Sequence, residues 1–194
     1  WVTPNGVVEK KTPNIVQTSH CFHGFDKIYQ ETNNDKYIEI LKKIAEFVHK
    51  DLEIQYKDKK YEPSKYGLNY PMITFNTIAL RADILMRSYK LFDNKNYMES
   101  AMKNILYLKE YQNEDGSWFY SHQSKIIDNF HTSYILKSLF RSYQSYKNST
   151  IIDIAQKGFR YYERQFFRKD GSLIHFSKNT NPKFRYIELL DYSE

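Results

Sequence analysis

The sequence predicts an all-α chain built from three copies of one helical hairpin, and three observations predict it. Only 6 Gly and 5 Pro stand beside 18 Tyr and 13 Phe in 194 residues, a composition of long elements packed through aromatic faces with few tight turns. Tyr29, Tyr89 and Tyr143 bring three segments into register, each followed eight residues later by Tyr37, Tyr97 or Ile151. The overlay continues through Leu41, Ala101 and Ala155, then Ala45, Ile105 and Phe159, then Phe47, Tyr107 and Tyr161. Within each copy apolar residues recur at three and four, as in Phe22, Phe25, Ile28 and Tyr29 or Ile105, Leu108 and Tyr111, and strand alternation is absent.

Helix punctuation places each element in order. Thr12 before Pro13 reads as an N-cap with proline at the first helical position, opening a helix near 13–31. Asn34 caps a second near 35–52, and the polar stretch from Gln55 to Lys65 is the longest loop. Helices near 75–92 and 95–112 follow, the latter capped by Asn94, then helices near 129–146 and 150–168, the latter capped by Ser149. A seventh starts near Tyr186. Residues 1–194 form one domain, and three hairpins with exposed apolar end faces read as part of a longer array that can self-associate through those ends.

Composition narrows the function classes. With 41% hydrophobic and 27% charged residues the chain folds around a core. The net charge of +6 is spread along it, with Lys57, Lys59 and Lys60 as the dense cluster, so nucleic acid is not implied. No run approaches the roughly 20 apolar residues of a membrane helix, and no signal pattern opens the chain. A single Cys21 excludes an internal disulfide and a thiolate zinc cluster, so the expected location is cytoplasmic and no cofactor or metal is implied. His20, Cys21 and His23 do not make a metal set, because Cys21 points about 100° away from His20 on a helix.

Two turns carry a motif. Gln112-Asn113-Glu114-Asp115-Gly116-Ser117-Trp118 follows the fourth helix, and Gln165 to Leu173, with Asp170-Gly171-Ser172, follows the sixth. Asp-Gly supplies a positive φ, and a Gln at a helix end can satisfy orphan carbonyls. The motif resembles the glutamine-tryptophan repeat of squalene and hopene cyclases, in which the Gln closes an outer helix and the aromatic ring packs over the turn; Leu173 departs from that pattern. Hairpins ending in this turn resemble the α/α toroid, where inner and outer helices alternate around a central cavity, within the six-hairpin glycosidase and terpenoid cyclase-like superfamily. Thr12-Pro13-Asn14-Ile15-Val16-Gln17-Thr18-Ser19, the Gln112 turn and Ile127-Asp128-Asn129-Phe130-His131-Thr132 further resemble toroid proteins of capsule and exopolysaccharide biosynthesis clusters. The resemblance implies a carbohydrate-active or carbohydrate-binding protein with an oligo- or polysaccharide in its cavity.

In such a ring the first helix of each hairpin is the inner one, and three N-termini converge on one mouth, which favours anionic or hydroxyl-rich ligands. Asp128, His131 and Tyr134 on the third inner helix are the candidate catalytic residues, a carboxylate, an imidazole and a phenol within two turns. Asn14, Gln17, Thr18 and His20 on the first, Asn76 on the second, Asn129, and Tyr120 at a mouth-side connection are the candidate sugar-binding residues. An Asn, His and Tyr set can neutralise a uronate and move a proton, as lyases and epimerases do, whereas Asp128 paired with Asp115 would serve a glycosidase. The bland alternative is that Asp128 or Asn129 only caps its helix. A non-enzymatic interaction module and a terpenoid or prenyl enzyme remain open at this point; the Asp-x-Asp-Asp acid motif of hopene cyclases is missing.

Overall fold

The computed structural model describes residues 2–3, 6–7, 12–54, 60–70 and 72–177. After a two-residue antiparallel pair, β1 (Val2–Thr3) and β2 (Gly6–Val7), come six helices: α1 (Ile15–Thr32), α2 (Asp35–Lys50), α3 (Phe75–Phe92), α4 (Lys95–Glu110), α5 (Asn129–Ser145) and α6 (Ser149–Phe166). The chain is all-α, in the three hairpins expected. The seventh helix expected near Tyr186 lies outside the described residues.

Side-chain capping sets the helix starts. Asn14, not Thr12, caps α1, its Oδ1 accepting from Gln17 N at 3.1 Å, because Thr12 stands too far from the first unpaired N–H groups. Asn148, not Ser149, caps α6 through Thr150 N, because Ser149 is already the first residue of the helix. Asn34 and Asn94 cap α2 and α4 as expected. Just before them, Asn33 (φ 49°) and Asp93 (φ 51°) close α1 and α3 in the left-handed region, so each hairpin reverses in two residues, one ending a helix and the next starting one. The third reversal uses an extended Tyr146 and is one residue longer.

The first helices form the inner layer. α3 packs closely on α5 and more lightly on α1, whereas α2, α4 and α6 pack mainly on inner helices and scarcely on one another. Close inner seams with splayed outer ones bend the array, with α1, α3 and α5 on the concave side. The bend brings His20 Nε2 of α1 to 3.1 Å from the Tyr134 hydroxyl of α5, in front of Leu80 at the same level of α3, which is 2% exposed.

Trp118 and Arg81 fasten the hairpins. Trp118 is 2% exposed, donates Nε1–H to Leu108 O at 2.8 Å and lies over Gly158 of α6. Gln112 Nε2 donates to Gly116 O and to Ile154 O, tying the turn to α6 rather than closing its own helix. In the second motif copy the register differs from the sequence overlay. Arg168, Asp170, Gly171 and Ser172 repeat the bonds of Asn113, Asp115, Gly116 and Ser117, which puts Phe167, not Gln165, in the place of Gln112. Arg81, fully buried on α3, donates to Val48 O and His49 O at the end of α2, to Glu62 O, and to Glu62 Oε1 at 2.7 Å. Burial pushes the Glu62 carboxyl up, but the charge and hydrogen bonds of Arg81 outweigh it and hold the group below the ordinary range.

Candidate functional site

The mouth is assembled by one backbone device used three times. The residues just before the inner helices, Asn14, Thr74 and Asp128, form antiparallel bridges with Gly67, Ser121 and Phe176 in the loops that follow α2, α4 and α6. At each, the first helical N–H donates to a loop carbonyl: Ile15 to Tyr66, Phe75 to Tyr120, Asn129 to His175. These bonds satisfy orphan N–H groups of the inner helices and place an aromatic side chain beside each helix start. Tyr66, Tyr120 and His175 are thus equivalent residues, a relationship the sequence overlay of helices alone does not show.

Asp128 does two jobs with one carboxylate. Oδ1 caps α5 by accepting His131 N–H at 2.8 Å, and the His131 ring Nδ1 lies 2.8 Å from Oδ2 and 2.9 Å from Oδ1. Asp128 is buried while the His131 side chain is 31% exposed, so the carboxylate fixes the ring from beneath. With Nδ1 so engaged, Nε2 has no partner among the described residues. The edge of Tyr120 meets the imidazole at a centroid distance of 4.6 Å, and Phe130 packs on both His131 and Tyr134. Burial first, then the neighbouring Tyr66, Asp128 and Tyr70, push the Tyr120 phenol up to about 12. Tyr120 therefore stays protonated, an aromatic wall and hydroxyl donor rather than a base.

Asn76 completes the group on the α3 side. It lines a tight crevice with Tyr120, Asp128 and His131, is 3% exposed, and its Oδ1 finds no partner among the described residues. The crevice has no room for a water molecule, so a ligand would lie above it, on the exposed edge of His131. Of the remaining expected residues, Asn129 is buried at the start of α5, and Tyr134 with His20 forms the α1 to α5 contact one turn deeper. Asn14 spends its side chain on its cap. Gln17 and Thr18 lie along a different surface, the groove between α1 and α2, with Ile40, Ile44 and Phe47. Cys21, a small apolar residue that a core would take, is exposed in that groove, because α1 is the edge of the described array. Asp115 is not paired with Asp128: its Oδ1 accepts from Ser117 N and Oγ, inside a turn that packs on the outer helix α6.

No protein-family profile matches this chain, and no curated protein sequence matches it at significance. Solved structures do. An unsaturated glucuronyl hydrolase from Bacillus sp. GL1, responsible for glycosaminoglycan degradation, superposes with a TM-score of 0.71 at 10% identity, over 89% of this chain and 51% of its own. The cellobiose 2-epimerase of Bacillus thermoamylovorans B4167 gives 0.73 at 11% identity, over 95% of this chain and 50% of its own. A family 105 glycoside hydrolase of C. acetobutylicum ATCC 824 gives 0.73 at 12% identity, over 95% and 55%. This chain has the α/α toroid fold of these proteins and spans about half the length of each.

Proposed function

We propose that the chain is part of a carbohydrate-active α/α toroid whose sugar ligand lies against the aromatic mouth and exchanges a proton with His131. One observation carries this reading: a buried carboxylate orients an imidazole whose second nitrogen has no partner among the described residues, beside Tyr120 and above the buried amide of Asn76. Such a pair suits general acid or base work, and the aromatic edges suit the apolar face of a sugar ring. Asp128 fixes the ring by its Nδ1 edge, so that Nε2 is the nitrogen left for the ligand. Proton abstraction and return, as in an epimerase or lyase, fits this set better than two-carboxylate hydrolysis, since Asp115 is committed to its turn. The names of the similar structures, two hydrolases of glycans and an epimerase, support the substrate class. Action in polysaccharide biosynthesis or modification, in the cytoplasm, is the finer part of the proposal and rests on the Asp128 to Thr132 motif and the lone cysteine.

One observation favours a second reading, a binding module without chemistry. The groove between α1 and α2, about 550 Å³ and lined by Ile40, Ile44, Phe47 and Thr18, offers an apolar surface to a partner or to a further hairpin. The test is His131→Ala and Tyr134→Phe in the full-length protein, read as melting temperature together with turnover and binding of a glycan panel. Loss of turnover by His131→Ala with folding and binding retained supports the first reading. Undiminished activity in both variants, or unfolding of both, overturns the site and leaves the module.

A further inference from the structure

The concave face carries a second polar cavity at the far end of the same helices. It measures about 220 Å³ and is lined by side chains of α1, α3 and α5 alone, chiefly His23, Asp26, Asp83, Arg87, Lys90 and Arg141. Its charges are layered. The carboxylates form the floor, the Asp83 side chain being 1% exposed and that of Asp26 9%, while Arg87 at 18% and Arg141 at 37% stand nearer the rim with the exposed Lys90.

The two carboxylates are in different states. Asp26 is satisfied, accepting both Arg87 Nε and Nη2 at 2.8 Å and Gln30 Nε2 at 3.0 Å. Asp83 is not. His23 Nε2 lies 2.8 Å from its Oδ2, an ion-pair distance without the alignment of a hydrogen bond, Arg141 Nη1 stands 3.8 Å away, and neither carboxylate oxygen has a hydrogen-bond partner among the described residues. A buried acceptor left in this way costs free energy that a donor entering the cavity recovers. Arg141, held by nothing closer, offers a guanidinium to an anion at the rim.

We infer that this cavity is a binding site for a small polyhydroxylated anion, of sugar-acid or sugar-phosphate chemistry. Hydroxyls of the ligand donate down to Asp83, and its carboxylate or phosphate meets Arg141 and Lys90 above. A neutral sugar lacks the second contact, and inorganic phosphate, with one or two P–OH groups close to its own charge, cannot reach Asp83 and Arg141 as a sugar ring with a separate acidic group can. The volume is below that of pockets for drug-sized ligands, about 300–1,000 Å³, so the occupant is one ring rather than a chain. The inference stands on residues that the mouth does not share, and holds whether or not His131 is catalytic.

The experiment is calorimetric titration of the full chain with D-glucuronate, D-glucose 6-phosphate, D-glucose and inorganic phosphate. Binding of the first, the second or both, at least ten-fold tighter than glucose and phosphate, is expected and tells the two sources apart. Arg141→Gln, about a third in solvent, weakens that binding at least ten-fold, and Asp83→Asn does the same by turning one of two acceptor oxygens into a donor, both variants being checked for their melting temperature. His131→Ala leaves it unchanged. No heat from either anion up to about 10 mM, equal binding of glucose or phosphate, or full affinity in Arg141→Gln overturns the inference.

Discussion

A β-carbon on Gly158 would lie 2.5 Å from Cζ3 of Trp118, so the smallest residue of α6 is the seat of the largest ring in the turn after α4. The contact joins the second hairpin to the third. Gly158→Ala is expected to lower stability by about 1–3 kcal/mol through overpacking, and Trp118→Ala by about 3–5 kcal/mol. Because the two changes act on one contact, the double variant should fall short of their sum; chemical denaturation of all three checks it.

Gln112→Ala should cost roughly 1–2 kcal/mol, since it leaves the carbonyls of Gly116 and Ile154 without their donor. Gln112 is bonded away from the mouth and Trp118 only lines the closed crevice beneath it, under the exposed edge of His131, so glycan binding by the folded variants should not change. Loss of binding at full stability would move the turn into the site.

Arg81 and Glu62 predict an acid limit. The folded Glu62 carboxyl titrates below its ordinary value of 4.5, so its contribution is fully present above that pH and is lost as pH falls through the lower, folded value. Thermal melts should therefore show a loss of stability below pH 4.5 that Glu62→Gln reduces. Arg81→Met, which leaves the buried Glu62 carboxylate with only the longer Lys103 contact at 3.3 Å, should cost about 3 kcal/mol.

Asp128 allows capping and chemistry to be separated. Asp128→Asn keeps a good N-cap and should hold the melting temperature nearly constant, while Asp128→Ala costs about 0.5–2 kcal/mol. If His131 works as proposed, Asp128→Asn lowers kcat more than ten-fold without unfolding, and Tyr120→Phe leaves the shape of the pH profile unchanged because Tyr120 does not ionise below about 12. Full activity in Asp128→Asn would reduce the carboxylate to a cap.

Much of this was legible because the hairpins repeat. Leu41, Ala101 and Ala155 are all fully buried, as one repeat position should be, and the helix ends fell within two residues of the punctuation. Phe159, which the overlay equates with Ala45 and Ile105, is instead 41% exposed, for α6 has no further outer helix described beside it. The Gln165 register failed because Gln165 lies inside α6 with two residues between it and Arg168, where the repeating bonds begin, whereas Gln112 directly precedes Asn113, and a match of letters does not count them. Asp83 escaped notice although it shares a repeat position with His23 and Lys137. A position polar in all three copies on an inner helix was the available signal; what a sequence does not carry is that the Asp83 oxygens lack hydrogen-bond donors.

The contact between His20 and Tyr134 divides the lumen. It sits one turn below His131 and one turn above His23, spanning the concave face where Leu80 lies behind it. The polar residues around His131 and those around Asp83 therefore stand on opposite sides of one cross-face contact, with no lining residue in common, and a substitution in one group leaves the side chains of the other in place.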